Sequence, residues 1–150
     1  MADAKKLIEE NLRTKNSSLD LSSNELVGTE PFLEILKDCI HLKSLSLAGN
    51  NLRSITFLSN LNFLTSLNLD INPIQDISPI QNLSLLEDLY LNQTQVTDLL
   101  PLKDCKRLRK LNLFLTKIKY NIDTLNELYN LEELLIQFDD INEGSYHNSD

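Results

Sequence analysis

The stretch "LTSLNLDINPIQDISPIQNL", residues 64–83, determines how this chain folds. Leucine or isoleucine stands at positions 64, 67, 69, 74, 77, 80 and 83. The alternation in "SLNLD" is typical of a short strand that buries one face. The later spacing of three is typical of a tight turn that winds back over that strand. A unit this small cannot enclose its own apolar side chains, so it requires similar neighbours.

The same unit recurs along most of the chain. Five units open on leucines that are 22, 22, 22 and 23 residues apart: Leu42, Leu64, Leu86, Leu108 and Leu131. Their strand segments read "SLSLA", "SLNLD", "DLYLN", "KLNLF" and "ELLIQ", and an earlier "SLDLSSNEL" at 18–26 supplies a sixth. The chain is therefore predicted to be a stack of small repeats, in which each unit buries its apolar side chains against the next.

The recurring pattern LxxLxLxxN resembles the leucine-rich repeat family, and the run "IQDISPI" at 74–80 resembles its 22-residue class found in bacterial internalins. The resemblance covers residues 18–142. It implies an α/β right-handed solenoid, with a parallel concave sheet of about six strands and with short helices and turns on the convex side. In that fold Leu67 and Leu69 point into the core.

An asparagine follows each of the early strands and has a predicted structural role. At the bend after the strand, its amide can satisfy backbone groups that the turning chain leaves unpaired. Threonine or aspartate replaces it in the later repeats, and neither offers both the two N–H donors and the carbonyl acceptor of an amide. We therefore expect a weaker ladder in the second half of the chain. The residues concerned are Asn24, Asn50 and Asn72, followed by Thr94, Thr116 and Asp139.

We expect one leucine-rich repeat domain over residues 1–150, with an N-terminal cap helix at 1–17, repeats at 18–142 and a tail at 143–150. Asp3 is placed to N-cap a helix in which Ala4, Ile8 and Leu12 share one face. The segment "TEPFLEILKDCI" is predicted to form a convex helix with its proline in the first turn. The sequence "TLNE" at 124–127 fits a capping box of another short helix.

The two cysteines and the N-terminal sequence indicate the cellular compartment of the protein. Cys39 and Cys105 occupy equivalent places three repeats apart, or about 14 Å at one strand spacing per repeat. A disulfide needs a Cα separation below about 7 Å, so both are expected to be buried free thiols. The sequence also has no signal-peptide core and no membrane-spanning stretch. These features together predict a cytoplasmic protein with no membrane partner.

Few residues of the chain fit a catalytic or metal site. The only glycines are Gly28, Gly49 and Gly144, so neither a P-loop nor a dinucleotide-binding fingerprint can be written in the sequence. The two histidines, His41 and His147, have no partner at metal-ligand spacing. We therefore expect no enzyme, no catalytic residue, no cofactor and no metal.

Charge offers a further signal, because seven of the fourteen basic residues lie within 103–119 of a chain whose net charge is -8. A nucleic-acid patch is one interpretation. The alternative is structural, because the repeat alignment places Arg109 between Glu87 and Glu132 of the neighbouring strands, and Lys110 between two further acids. The net negative charge disfavours nucleic acid, so cross-strand pairing is the preferred interpretation and nucleic-acid binding the weaker alternative.

The outward strand positions predict where a partner binds. Early repeats present small or polar side chains there, whereas three consecutive late repeats present large apolar ones, which usually marks an interaction site. We expect a monomeric, non-catalytic protein–protein interaction module that binds a protein or peptide on its concave face. The predicted partner-binding residues are Tyr90, Phe114 and Leu135, with Leu115 and Phe138 at the bend and Arg109 and Lys110 as flanking charges.

The N-terminal segment "AKKLIEENLRTKNSSLDLSSNEL" at 4–26 is similar to the start of the repeats in bacterial Roc-COR proteins and related cytoplasmic repeat proteins. In that family the repeats are a regulatory or recognition arm attached to a GTPase, whereas this sequence carries no GTPase motif. The similarity implies a bacterial, cytoplasmic origin. It leaves a second function open, namely the sensory or regulatory arm of a larger signalling protein.

Overall fold

The computed structural model describes residues 3–138, with Phe138 described through its backbone alone. The α-helices are α1 (Ala4–Thr14) and α2 (Leu33–Leu36). The strands are β1 (Ser18–Asp20), β2 (Ser44–Ser46), β3 (Ser66–Asn68), β4 (Asp88–Tyr90), β5 (Lys110–Thr116) and β6 (Glu133–Phe138). Short 3-10 helices cover Thr56–Leu58, Ser78–Ile80, Leu100–Leu102 and Ile122–Glu127. The predicted end of the repeats at residue 142 and the tail at 143–150 lie outside the described residues.

The six strands form one open sheet in the order β1-β2-β3-β4-β5-β6, and every neighbouring pair is parallel. Equivalent repeat positions lie side by side, so Leu45, Leu67, Leu89 and Leu111 form one inward column. The solenoid with a parallel concave sheet, predicted from the repeat spacing, is confirmed.

The core lies behind the sheet and is filled by the leucines and isoleucines of the repeats. Leu67 and Leu69 are both fully buried, as predicted. The short helices pack their apolar residues against the same core from the convex side, as Phe57 and Ile80 do. Each repeat therefore buries its apolar residues between its own strand, its own turn and the two adjacent repeats.

The asparagines after the early strands hold neighbouring repeats together. Asn72 Nδ2 donates to the carbonyl oxygens of Leu47 and Leu69 at 3.0 Å and of Asp70 at 3.2 Å. Its Oδ1 accepts from the Leu52 backbone N–H at 3.0 Å. In a later repeat the Thr94 hydroxyl donates to the Leu91 carbonyl at 2.8 Å. A hydroxyl has one proton to donate where an amide has two, so this later repeat has fewer hydrogen bonds at the bend than that of Asn72. The weaker ladder of the second half stays a prediction, and Asp139 lies outside the described residues.

The helix α1 covers the first strand. Its N-cap residue Asp3 accepts from the backbone N–H groups of Lys5 and Lys6 at 3.1 and 3.5 Å, as predicted from the sequence. Ala4 and Ile8 are buried against the core, and Leu12 packs at its edge. The helix therefore shields the apolar residues that the first strand would otherwise expose.

Two predicted helix boundaries were wrong. The helix α2 begins at Leu33, so Pro31 precedes it instead of lying in its first turn. The proposed capping box at 124–127 does not form, because Thr124 lies inside the 3-10 helix that begins at Ile122, and its side chain is buried. Thr124 is buried within this tight turn, so its side chain packs in the interior and does not cap a helix.

Candidate functional site

Outward side chains of the concave sheet form aligned rows, because the strands are in register. One row contains Ser44, Ser66, Asp88, Lys110 and Glu133, and the next contains Ser46, Asn68, Tyr90, Asn112 and Leu135. On the following row Phe114 lies beside Gln137. These are the alignments predicted from the sequence.

The late repeats place three large side chains on this face. Tyr90 and Leu135 both lie in the Asn112 row, on the strands that flank it, and Phe114 stands two residues further along the central strand β5. Leu135 is 58% exposed and Phe114 is 37% exposed, whereas Tyr90 is half-buried. The structure therefore brings the three predicted residues into one neighbourhood, which we call the late concave patch.

The two residues predicted to widen this patch occupy different settings. Leu115 is half-buried at a β-bulge between Phe114 and Thr116, where its own φ is +55°. It lies within β5, where the bulge interrupts the pairing with β6. The backbone of Phe138 pairs with Thr116, but its side chain lies outside the described residues.

The flanking bases are tied to the sheet by their neighbours. Arg109 Nη2 lies 3.1 Å from Glu132 Oε2, and this hydrogen bond, with the charges of Glu132, Glu87 and Asp88, raises the pKa of Arg109. Lys110 lies in register between Asp88 and Glu133, although no ion pair within 4.0 Å joins it to either acid in the described part of the chain. The predicted cross-strand ion pair is thus present for Arg109 with Glu132 and absent for Lys110 among the described residues.

One further base of the segment 103–119, Lys106, also lies near an acid of the next repeat. Lys106 Nζ lies 3.5 Å from Glu127 Oε2 and 5.7 Å from the centre of the Tyr129 ring. A base that is already paired with an acid attracts phosphates less, so the pairs of Arg109 and Lys106 favour the structural interpretation over a nucleic-acid patch.

Sequence reasoning missed one polar feature of the concave face. Asp70 Oδ1 accepts a 2.7 Å hydrogen bond from the Asn92 backbone N–H across the strands. Burial raises the pKa of Asp70, and the hydrogen bond from Asn92 opposes that shift. The available signal was the outward row of Ala48, Asp70, Asn92 and Phe114, in which a single carboxylate stands among uncharged residues.

Both cysteines are buried free thiols, as the repeat spacing predicted. Burial raises the pKa of Cys39, and burial together with Asp104 raises the pKa of Cys105 to about 11. A thiol is reactive as its thiolate, so both side chains are poor nucleophiles in the folded protein.

Residues 3–138 contain neither a candidate metal cluster nor a membrane-spanning helix. No group of three or more His, Cys, Asp or Glu side chains there could hold a metal ion. Within the same residues, no helix has the length and apolarity needed to cross a membrane.

The repeat family described as Leucine Rich repeats (2 copies) matches residues 40–82, which span β2, β3 and the turns around them. Residues 40–82 are leucine-rich repeats. No curated protein matches the sequence of the chain.

Several solved leucine-rich repeat structures resemble the chain. Internalin C2 from Listeria monocytogenes is 28% identical with a TM-score of 0.65, over 79% of this chain and 53% of the internalin. A leucine-rich repeat protein of Leptospira interrogans is 28% identical with a TM-score of 0.71, over 85% of this chain and 33% of its own.

A plant structure shows the same likeness. The ectodomain of the Arabidopsis thaliana membrane receptor kinase GASSHO1/SCHENGEN3, solved in complex with CASPARIAN STRIP INTEGRITY FACTOR 2, is 29% identical with a TM-score of 0.64. The alignment covers 81% of this chain and 15% of the receptor chain. The chain thus spans about half or less of these solved proteins. The predicted similarity to internalin-like repeats is confirmed, and that of residues 4–26 to Roc-COR proteins stays a prediction.

Proposed function

We propose that this leucine-rich repeat chain is a non-catalytic interaction module that binds a protein or peptide on its concave face, through the late concave patch of Tyr90, Phe114 and Leu135. The observation that carries the proposal is the exposure of Phe114 and Leu135 on a regular sheet whose earlier outward positions are small or polar. Large apolar side chains that face solvent together usually mark an interaction site.

The solved neighbours support protein binding. The GASSHO1/SCHENGEN3 ectodomain, built on the same repeat fold, was solved with a bound factor. Aromatic side chains at the centre of an interface are frequent hot spots, which favours Tyr90 and Phe114 as the main contributors to affinity. Arg109 is already paired with Glu132, so it would orient a partner more than it would add affinity.

The test begins with capture of the partner from the native host, identified by mass spectrometry, followed by calorimetry with the purified partner. Tyr90→Ala and Phe114→Ala are each expected to weaken binding by more than about 1 kcal/mol. Folding should change little, because both side chains face away from the core. Ser44→Ala and Ser46→Ala, at outward positions of β2, are matched controls and should have little effect. Unchanged affinity in the Tyr90 and Phe114 variants would contradict the proposed site.

The regulatory-arm alternative rests on the helix and strand at the start of the chain. Residues 4–26, which are similar to the start of Roc-COR repeats, form α1 followed by β1. A sensory arm would use the same concave face, with the GTPase in another part of a larger protein. The length of the native open reading frame distinguishes the two, since the alternative requires a GTPase domain encoded in the same gene.

We also propose that the protein is bacterial, cytoplasmic and monomeric. The support for a reducing compartment is the pair of buried free thiols at Cys39 and Cys105. A thiol reagent at pH 8 should react slowly with the folded protein and should titrate two thiols after denaturation, because burial raises both thiol pKa values. A disulfide in protein isolated from its host would contradict the reducing compartment. Sedimentation would measure the molar mass in solution and so test whether the protein is a monomer.

A further inference from the structure

The concave face has an uneven distribution of charge. On the first four repeats its outward positions include three carboxylates, Asp20, Asp70 and Asp88, and no lysine or arginine. The first base on the face is Lys110 of β5, which lies between Asp88 and Glu133. The surface that leads into the late concave patch is therefore acidic, and it complements a positively charged partner.

Asp70 is a carboxylate on this face whose two neighbouring strands, β2 and β4, present no lysine or arginine at their outward positions. It is half-buried, and the Asn92 backbone N–H supplies a hydrogen bond to Oδ1. The five ion pairs within residues 3–138 do not include Asp70. A partly desolvated carboxylate without a cation is costly, so a cation bound beside it would be stabilised.

Two aromatic residues share this face with Asp70, one on the adjacent strand and one on the strand beyond it. Asn68 is the direct neighbour of Tyr90, so Asp70, two residues further along the strand, lies diagonal to the ring. Phe114 is two strands away from Asp70, or about 9.6 Å at the usual strand spacing. An aromatic face attracts a cation, and the methylene stem of lysine or arginine packs well against a ring.

We propose that the concave face binds an extended, positively charged segment of a partner protein, with one lysine or arginine against Asp70 and its stem over Tyr90 and Phe114. An adjacent apolar residue of the segment would pack on Leu135, which is 58% exposed. The inference rests on the proposed function, because it uses the late concave patch and adds the chemistry of its partner.

A second copy of this chain fits the face less well. The chain carries a net charge of -8, so a second copy would bring further negative charge toward an acidic face. An acidic segment is disfavoured for the same reason, because Arg109 is paired with Glu132 and Lys110 lies between Asp88 and Glu133.

Two blocked tripeptides test the proposal by NMR titration at low salt: arginine between two phenylalanines, and glutamate between two phenylalanines. The arginine peptide should shift the amides of the concave strands and bind at least about threefold more tightly, as expected for one cation–π contact and one exposed ion pair. Asp70→Asn should remove this preference while keeping an oxygen that accepts the Asn92 N–H. Asp76→Asn is the matched control, because Asp76 also accepts a backbone N–H, that of Ser78 at 2.8 Å, away from the concave face.

The outcomes separate the inference from the function on which it rests. Equal affinity for the two peptides, lowered in both cases by Phe114→Ala, would overturn the basic partner and leave the apolar site standing. Equal effects of Asp70→Asn and Asp76→Asn would also overturn it. Shifts confined to the convex side, or the absence of binding by either peptide, would contradict both proposals. Concave-face shifts that grow with protein concentration alone would identify a second copy as the occupant and overturn the inference.

Discussion

The side-chain amide of Asn72 donates a 3.0 Å hydrogen bond to the carbonyl oxygen of Leu47, one repeat earlier in the solenoid. The same side chain accepts from the Leu52 backbone N–H, so it joins the turn of one repeat to the strand end and the turn of the preceding one. All of these groups are buried, and water cannot replace a lost partner without rearrangement. This amide therefore joins adjacent repeats and satisfies buried backbone groups at the same time.

Asn72→Ala is expected to lower the free energy of unfolding by about 2 to 4 kcal/mol, because it leaves several buried backbone groups without a partner. Thr94→Ala at the equivalent place should cost about 1 kcal/mol for its hydrogen bond to Leu91. Urea denaturation of both variants measures the difference. Equal losses would mean that the backbone groups near Asn72 find other partners.

A left-handed backbone recurs after the strands. Five equivalent residues have φ between 55° and 66°: Ser23, Gly49, Ile71, Gln93 and Leu115. In each of the first four, the N–H donates to a carbonyl of the next repeat, as Ile71 does to Asn92 at 2.8 Å. Repeat stacking thus imposes a conformation that costs a residue other than glycine about 1 to 2 kcal/mol.

Ile71→Gly is therefore expected to stabilise the protein by about 1 kcal/mol, because a β-branched residue is strained in this region. Little burial is lost, since the Ile71 side chain is 53% exposed. The reverse change, Gly49→Ala, should destabilise by a similar amount at its φ of +66°. Thermal unfolding of the two variants tests the pair, and a destabilised Ile71→Gly protein would show that entropy lost by glycine outweighs the strain.

The repeat spacing predicted the strands, their order and their register, because a leucine every 22 residues can be buried only if equivalent positions stack. It could not predict the left-handed residues, since glycine, isoleucine, glutamine and leucine share that position and only the first signals it. The tight turn around Thr124 was missed for a similar reason, because a capping motif is local whereas the packing that overrode it involves the whole repeat.

The rows of the candidate site also followed from the alignment, which placed Tyr90, Phe114 and Leu135 together. The alignment did not predict how exposed each side chain is, since Tyr90 is half-buried and Leu135 is mostly exposed. Those differences depend on how much neighbouring side chains cover each residue. The partial burial of Asp70 has the same origin, which is why a single carboxylate in the sequence gave no sign of its raised pKa.

His41 contacts the cap helix α1 through Asn11, and we expect this contact to stabilise the cap in a pH-dependent way. Its Nε2 lies 2.7 Å from Asn11 Oδ1, and Asn11 Nδ2 donates to the carbonyls of Asn16 and Ser18. Oδ1 is therefore an acceptor, and Nε2 carries the proton. His41 Nδ1 is buried without a hydrogen-bond partner in the described residues, so protonation there would create an unsatisfied donor.

Burial and the charge of Lys15 lower the pKa of His41, and the hydrogen bond to Asn11 opposes them. The folded protein thus binds this proton less readily than the unfolded chain, whose imidazole has a pKa of about 6.5. The stabilisation is present above pH 6.5 and is lost as pH falls below it toward the folded pKa.

Comparison with His41→Gln, which keeps a donor but does not titrate, tests whether His41 stabilises the cap helix in this way. The stability advantage of the wild-type protein should shrink as pH falls through that range, as measured by urea denaturation at each pH. Hydrogen exchange of the α1 amides should accelerate over the same range in the wild-type protein alone. A constant stability difference between the two proteins would show that His41 does not fasten the cap.

The last strand shows how burial depends on having a repeat on both sides. Leu89 and Leu134 occupy the same inward column, yet Leu89 is fully buried between β3 and β5 whereas Leu134 on β6 is 40% exposed.

Truncation of a fully buried leucine removes its transfer free energy and leaves a cavity, so Leu89→Ala should destabilise by about 2 to 5 kcal/mol. Leu134→Ala removes the same atoms from a site that is already partly hydrated and can relax, so its cost should be less than about half as large. Urea denaturation of the two variants, with unchanged circular dichroism as the check on folding, measures both. Equal costs would contradict this prediction. They would mean that another surface covers Leu134 in solution, and a measurement of the solvent protection of Leu134 would then test for that surface.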